Sequence, residues 1–125
     1  MRLNHVTLPA TDVEASAEVY RRLGLTQIVA SYPKYARFVG PEGGVTLSLH
    51  WNELPTPSAA SIHFEVDDVD QAVADLRDAG IEIETEPTDQ PYLWREATLL
   101  DPDGNRVFIF HAGEMRLNPP WRLEG

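Results

Sequence analysis

The chain has no cysteine among its 125 residues. Disulfides, thiolate metal sites and cysteine nucleophiles are therefore excluded. Basic residues are scarce, 10 Lys and Arg against 20 Asp and Glu, for a net charge of −10. No Lys/Arg run offers to neutralise a phosphate backbone, so nucleic acid is not expected as a partner. No apolar run approaches the roughly 18 residues of a spanning helix, and the opening MRLNHVTLP lacks a charged-then-apolar signal pattern. The expectation is a cytoplasmic protein with no membrane partner. What is present, 42% hydrophobic and 24% charged residues, suits one globular domain long enough to bury a substantial core.

The chain repeats itself. Ile62–Gly80 reads IHFEVDDVDQAVADLRDAG, and roughly 56 residues earlier Val6–Gly24 reads VTLPATDVEASAEVYRRLG. Asp12, Val13, Arg21 and Gly24 recur as Asp68, Val69, Arg77 and Gly80, and Leu25 as Ile81. A fixed-offset echo of this length predicts two copies of one supersecondary unit.

In the first copy, strands are expected at Leu3–Leu8, Leu25–Ser31, Tyr35–Val39 and Val45–Trp51. Thr11-Asp12 has helix-capping chemistry, Val13, Ser16, Ala17, Tyr20 and Leu23 share one helical face, and Gly24 suits the left-handed stop. In the second, strands are expected at Ala60–Val66, Ile81–Thr85, Leu93–Leu100 and Arg106–His111. Asp68 caps a helix with Val69, Ala72, Val73 and Leu76 inward, and Gln71 is placed for a capping box. The resulting order is βαβββ twice, with DPDGN as a tight turn before the last strand. The boundaries read as module one 1–51, linker 52–58, module two 59–112, together a single domain 1–112, and a tail 113–125 whose Pro119-Pro120 pair excludes a regular element there. Trp121 in that tail suggests docking on something apolar.

Alternation across strands sorts the polar residues onto faces. His5 and Thr7 fall together, as do Thr46, Ser48 and His50, then Ser61, His63 and Glu65, then Trp94, Glu96 and Thr98. Phe108 and Phe110 share a face, and Tyr35 and Arg37 another. If the two copies bring these faces together, His5, His50, His63, Glu65 and Glu96 line a cleft with Phe108 and Phe110, the composition of a small-molecule site.

The paired units, the helix starts TDVEAS and DDVDQA, and the turn DPDGN together resemble the vicinal oxygen chelate superfamily, the glyoxalase, bleomycin-resistance and extradiol-dioxygenase group, over about residues 2–112. The segments WREATLLDPDGN, FHAGE and NPPWR look like those of a glyoxalase-like subgroup with which no established reaction is associated. The resemblance implies an α+β fold of two βαβββ modules whose eight strands form an open, curled mixed sheet around a cleft. It also implies a homodimer and, in many members, a divalent metal. The four ligand places carried over from the family are His5, Ser48, Ser61 and Phe108. Only His5 carries a usual ligand, since phenyl cannot bind a metal and serine binds poorly.

Two functions follow as expectations. One is a glyoxalase-like small-molecule enzyme of lyase, isomerase or dioxygenase type, with an altered or relocated metal site. The metal (Zn, Ni, Mn or Fe) would then sit on His5, His50 and His63; without one, the protein has no cofactor. His63, Glu65 and Glu96 are the candidate acid–base groups, because imidazole titrates near neutrality and a partly buried carboxylate can act as a base. Ser48, Ser61, Arg37, Trp94, Phe108 and Phe110 are the candidate substrate contacts, Arg37 as an anchor for an anionic group. The alternative is a metal-free binding protein of the bleomycin-resistance kind, in which aromatic walls and acidic charge hold a cationic ligand.

Overall fold

Asp12 and Asp68 start the two helices in the same way. Each accepts a backbone N–H three residues on, from Ala15 and Gln71 respectively, at 3.0 Å, which satisfies one of the free donors of a helix start. Each helix ends just before a glycine in the left-handed region, Gly24 at φ 100° and Gly80 at φ 86°, where a side chain would be strained. The computed structural model describes residues 1–124. Its elements run β1 (His5–Ala10), α1 (Val13–Arg22), β2 (Thr26–Ser31), β3 (Tyr35–Val39), β4 (Thr46–Trp51), β5 (Ile62–Glu65), α2 (Val69–Asp78), β6 (Thr85–Asp89), β7 (Arg95–Leu100) and β8 (Arg106–His111), then a 3-10 turn at Gly113–Arg116. The predicted βαβββ order thus occurs twice. Each copy forms its own four-stranded mixed sheet, β1-β4-β3-β2 and β5-β8-β7-β6.

Three expectations need correction. The first strand lies two residues later than Leu3–Leu8, because it pairs in parallel with β4 from His5↔Thr46 to Ala10↔Trp51. Pro9 is tolerated there because β1 is an edge strand and needs no ladder donor on its outer side. The sixth strand is not Ile81–Thr85 but Thr85–Asp89, since its partner β7 meets it from Thr85↔Thr98 to Asp89↔Arg95. Gln71 shows no capping-box bond back to Asp68; its amide nitrogen donates forward to Asp75 at 2.8 Å.

By contacts the chain divides into two units, Met1–Ser61 with Leu100–Arg106, and Ile62–Leu99 with the chain from Val107 onward. The first unit buries Leu8, Ala10, Val13, Ala17, Tyr20, Ala36, Phe38, Leu47 and Leu49, with the Tyr20 and Phe38 rings 6.2 Å apart. The DPDGN turn belongs to this unit and is tied down by its polar side chains. Asp101 accepts from the backbone of Asp103 and Asn105, from the Asn105 side chain and from the Tyr20 hydroxyl, at 2.8–3.0 Å. Asp103 accepts from Thr11 N and Oγ1, and Asn105 accepts from Ser58 N at 2.7 Å. These buried carboxylates are fully occupied by protein donors, as burial requires. The second unit buries Val69, Val73 and Leu76 of α2 together with Ala97, Leu99, Val107, Ile109 and Phe110.

Candidate functional site

In the second unit the alternation of β8 turns Phe108 and Phe110 to the same face, and β5 pairs His63 directly beside Phe108. The two rings stack, with centroids 4.3 Å apart and planes 6° from parallel. Phe110 meets His63 edge-on at 5.5 Å and stacks on Trp94 at 4.8 Å. Tyr92 closes the group, edge-on to Trp94 at 5.8 Å. Offset and T-shaped contacts of this kind are the favoured aromatic geometries. Phe110 is buried, Trp94 and Phe108 are half-buried, and Tyr92 and His63 keep exposed edges.

One carboxylate belongs to this cluster. Glu96 is buried at 8% exposure and accepts the Tyr92 hydroxyl hydrogen bond. That bond pushes the Tyr92 phenol up to about 12, aided by partial burial and the Glu96 charge. Loss of solvent beside the rings pushes His63 below the ordinary imidazole range, against the opposite pull of Glu96. His63 is thus biased to the neutral form next to an acidic group.

Glu65, expected as an acid–base group, is placed differently. Its Oε2 accepts from the backbone N–H of Ala112 and Gly113 at 2.8 and 3.0 Å. Arg116 lies 3.6 Å away and His111 3.9 Å. Burial works against its charge, but these donors outweigh it and hold the carboxyl below the usual range. Glu65 therefore fastens the start of the 3-10 turn. His111 itself bonds to the Val66 carbonyl at 2.9 Å.

The first unit carries a second polar group, on one face of β1, β4 and β3. The registers His5↔Thr46, Thr7↔Ser48, Arg37↔Ser48 and Tyr35↔His50 set these side chains side by side. The Thr46 hydroxyl lies 3.4 Å from the Asn4 carbonyl, to which it donates, and shares a hydrogen bond of 2.5 Å with His5 Nδ1. His5 Nε2 lies within hydrogen-bond distance of the hydroxyls of Thr7 and Ser48, each at 3.3 Å. Ser48 in turn is hydrogen-bonded to the Tyr35 hydroxyl, which accepts from Arg37 Nε at 2.8 Å. Partial burial opposes ionisation of Tyr35, but the donors Ser48 and Arg37 outweigh it and set the phenol below its ordinary range. His50 stands apart from this chain: its Nδ1 bonds the Trp51 carbonyl at 3.0 Å, and its ring meets Tyr35 edge-on at 6.4 Å. Ser61 is exposed immediately before β5.

Sequence reasoning named neither Tyr35 nor Tyr92 as a site residue. Tyr35 had a signal, since it shares its strand face with Arg37. Tyr92 lies in a turn, where alternation says nothing.

The residues expected to hold a metal do not fit one. Among the described residues no three His, Asp or Glu side chains gather as an ion site. Both His5 nitrogens are committed to hydroxyls, and the place of a fourth ligand is the Phe108 ring stacked on His63. Hydroxyl and phenyl groups are poor substitutes for imidazole and carboxylate donors.

Similar solved structures share the fold. A glyoxalase/bleomycin resistance protein/dioxygenase from Nocardioides is 26% identical with a TM-score of 0.75, covering 99% of this chain and 90% of that one. Lactoylglutathione lyase from Agrobacterium tumefaciens is 21% identical, TM-score 0.73, covering 94% and 96%. A bleomycin-binding protein complexed with bleomycin is 21% identical, TM-score 0.68, covering 89% and 98%. No curated protein matches the chain. The model of the Glyoxalase/Bleomycin resistance protein/Dioxygenase superfamily matches residues 2–109, nearly the whole span of the repeated βαβββ units, and the chain belongs to that superfamily.

Proposed function

We propose that the chain is a metal-independent small-molecule binding protein, and that its ligand is a flat organic cation held in the second unit. The observation that carries this reading is the clustering of five rings, His63, Tyr92, Trp94, Phe108 and Phe110, with the buried carboxylate of Glu96. An aromatic face attracts a cation by roughly 0.5–2 kcal/mol, more as water is excluded. Glu96 adds a full charge where the rings supply only a quadrupole, and the −10 net charge raises the local concentration of cations. A lyase, isomerase or dioxygenase reaction at this place would need a positioned metal or a free acid–base pair. Glu65 is committed to backbone donors and the ligand set is incomplete, so binding draws on more of what is assembled.

Fluorescence titration with N-methylquinolinium and with naphthalene, its neutral counterpart in shape, tests the reading. The cation is expected to quench Trp94 saturably and to bind at least about tenfold more tightly. Equal affinity for the two, or no saturable quenching by either, would remove the reading.

A further inference from the structure

Glu96 is more than nine-tenths buried, yet among the described residues its carboxylate has one donor, the Tyr92 hydroxyl at Oε1. Asp101 and Asp103, also buried, are better supplied. Asp101 accepts from Tyr20 and from the backbone of Asp103 and Asn105. Asp103 accepts from the backbone and the hydroxyl of Thr11. A carboxylate removed from water needs its lone pairs filled, and Glu96 Oε2 is left without a protein donor. That oxygen is not sealed in. Among the described residues the buried side-chain polar atom without a partner is Ser16 Oγ, so Oε2 is reached from outside. It is reached on the side of the rings. Alternation along β7 sends Arg95 toward α2, where it pairs with Asp70, and turns Glu96 the other way with Trp94. Neighbouring donors are spent elsewhere. The Thr98 hydroxyl, next on that face, donates to Glu84. His63 feels the Glu96 charge, but loss of solvent favours its neutral form, and it makes no hydrogen bond to Glu96 among the described residues.

We infer that the ligand supplies the missing donor: it is an aromatic cation protonated on a ring nitrogen, and its N–H donates to Glu96 Oε2. The inference rests on the reading of the second unit as a cation site and narrows the class of cation. A quaternary cation of the same shape satisfies the rings and the negative charge but leaves the Oε2 lone pairs bare. An N–H cation satisfies all three, because a hydrogen bond between charged partners adds to the attraction of the ring faces. Glu96 is then the residue that selects among cations, and the rings select for flatness. Tyr92 holds the carboxylate by its other oxygen, which leaves Oε2 free to meet the ligand.

The test compares two cations on the full chain by calorimetric titration at neutral pH. One is 4-(dimethylamino)quinoline, protonated there on its ring nitrogen. The other is 4-(dimethylamino)-1-methylquinolinium, with the same rings and the same charge but no N–H. The N–H cation is expected to bind at least about tenfold more tightly, the worth of one charge-assisted hydrogen bond. In Glu96→Gln that advantage is expected to shrink to about twofold or less, since a neutral acceptor gives a weaker bond. Tyr92→Phe is expected to keep it, because Oε2 stays in place. The two ligands are compared on the parent chain, so the result does not depend on a variant folding. Equal affinities in the parent, or an advantage that persists in folded Glu96→Gln, would overturn the inference and leave the cation reading standing. If neither cation binds, both fall.

Discussion

Phe108 lies face to face on His63, with ring centroids 4.3 Å apart and planes 6° from parallel. A phenyl group therefore occupies a place where the resemblance leads one to expect a metal ligand, and it covers the histidine two residues beyond another such place, Ser61. The stack has a measurable consequence. Removal of solvent lowers the His63 pKa from 6.5, partly offset by Glu96. Phe108→Ala is expected to raise the midpoint, by re-exposing the ring, and Glu96→Gln to lower it further, by removing the charge that favours imidazolium. The ring-proton resonances of His63 report both. With the folded value depressed, the unfolded chain protonates first as pH falls through 6.5. The stability tied to neutral His63 is complete above that pH and is lost toward the folded midpoint.

Glu65 is expected to behave as a fastener. Glu65→Ala removes two charge-assisted bonds to the backbone of Ala112 and Gly113. Urea denaturation should show a loss of about 2 kcal/mol, with faster amide exchange at Ala112 and Gly113. Its depressed carboxyl makes this contribution one that is present at neutral pH and lost as pH drops through the folded value, below 4.5.

Tyr20→Phe tests the anchoring of the DPDGN turn. The hydroxyl donates at 2.8 Å to a buried carboxylate, Asp101, and its loss leaves that oxygen short of a donor. A cost of about 2 kcal/mol is expected from chemical denaturation. An unchanged midpoint would mean that the three remaining donors satisfy Asp101 unaided.

Ser16→Ala is expected to run the other way. The Ser16 hydroxyl is buried in α1 with no hydrogen-bond partner among the described residues. Alanine removes that unsatisfied group and has the better helix propensity, so a gain of up to about 1 kcal/mol in thermal or urea unfolding is expected.

The parts of this molecule that sequence could show are those decided locally. Asp12 and Asp68 cap, and Gly24 and Gly80 stop, through contacts with residues a few positions away. Alternation likewise placed Thr46 with Ser48, Trp94 with Glu96, and Phe108 with Phe110. What escaped was decided by partners far along the chain. β6 sits at Thr85–Asp89 because β7 pairs there. Glu65 reads as a candidate base until Ala112 and Gly113, 47 and 48 residues on, supply donors to it. Tyr35 shares a face with Arg37 in sequence, yet its chemistry comes from Ser48 on the neighbouring strand. Alternation reports which side a residue faces, and register across the sheet reports whom it meets.

The claim at the centre of this account is that the second unit recognises a cationic aromatic molecule without a metal. Calorimetric titration of N-methylquinolinium tests it most directly, run on protein with and without EDTA and on Glu96→Gln. The account predicts the same Kd with and without the chelator and an affinity about tenfold or more weaker in Glu96→Gln, the cost of one charge contact in a partly dry site. Binding abolished by EDTA, or unchanged in Glu96→Gln, would contradict it.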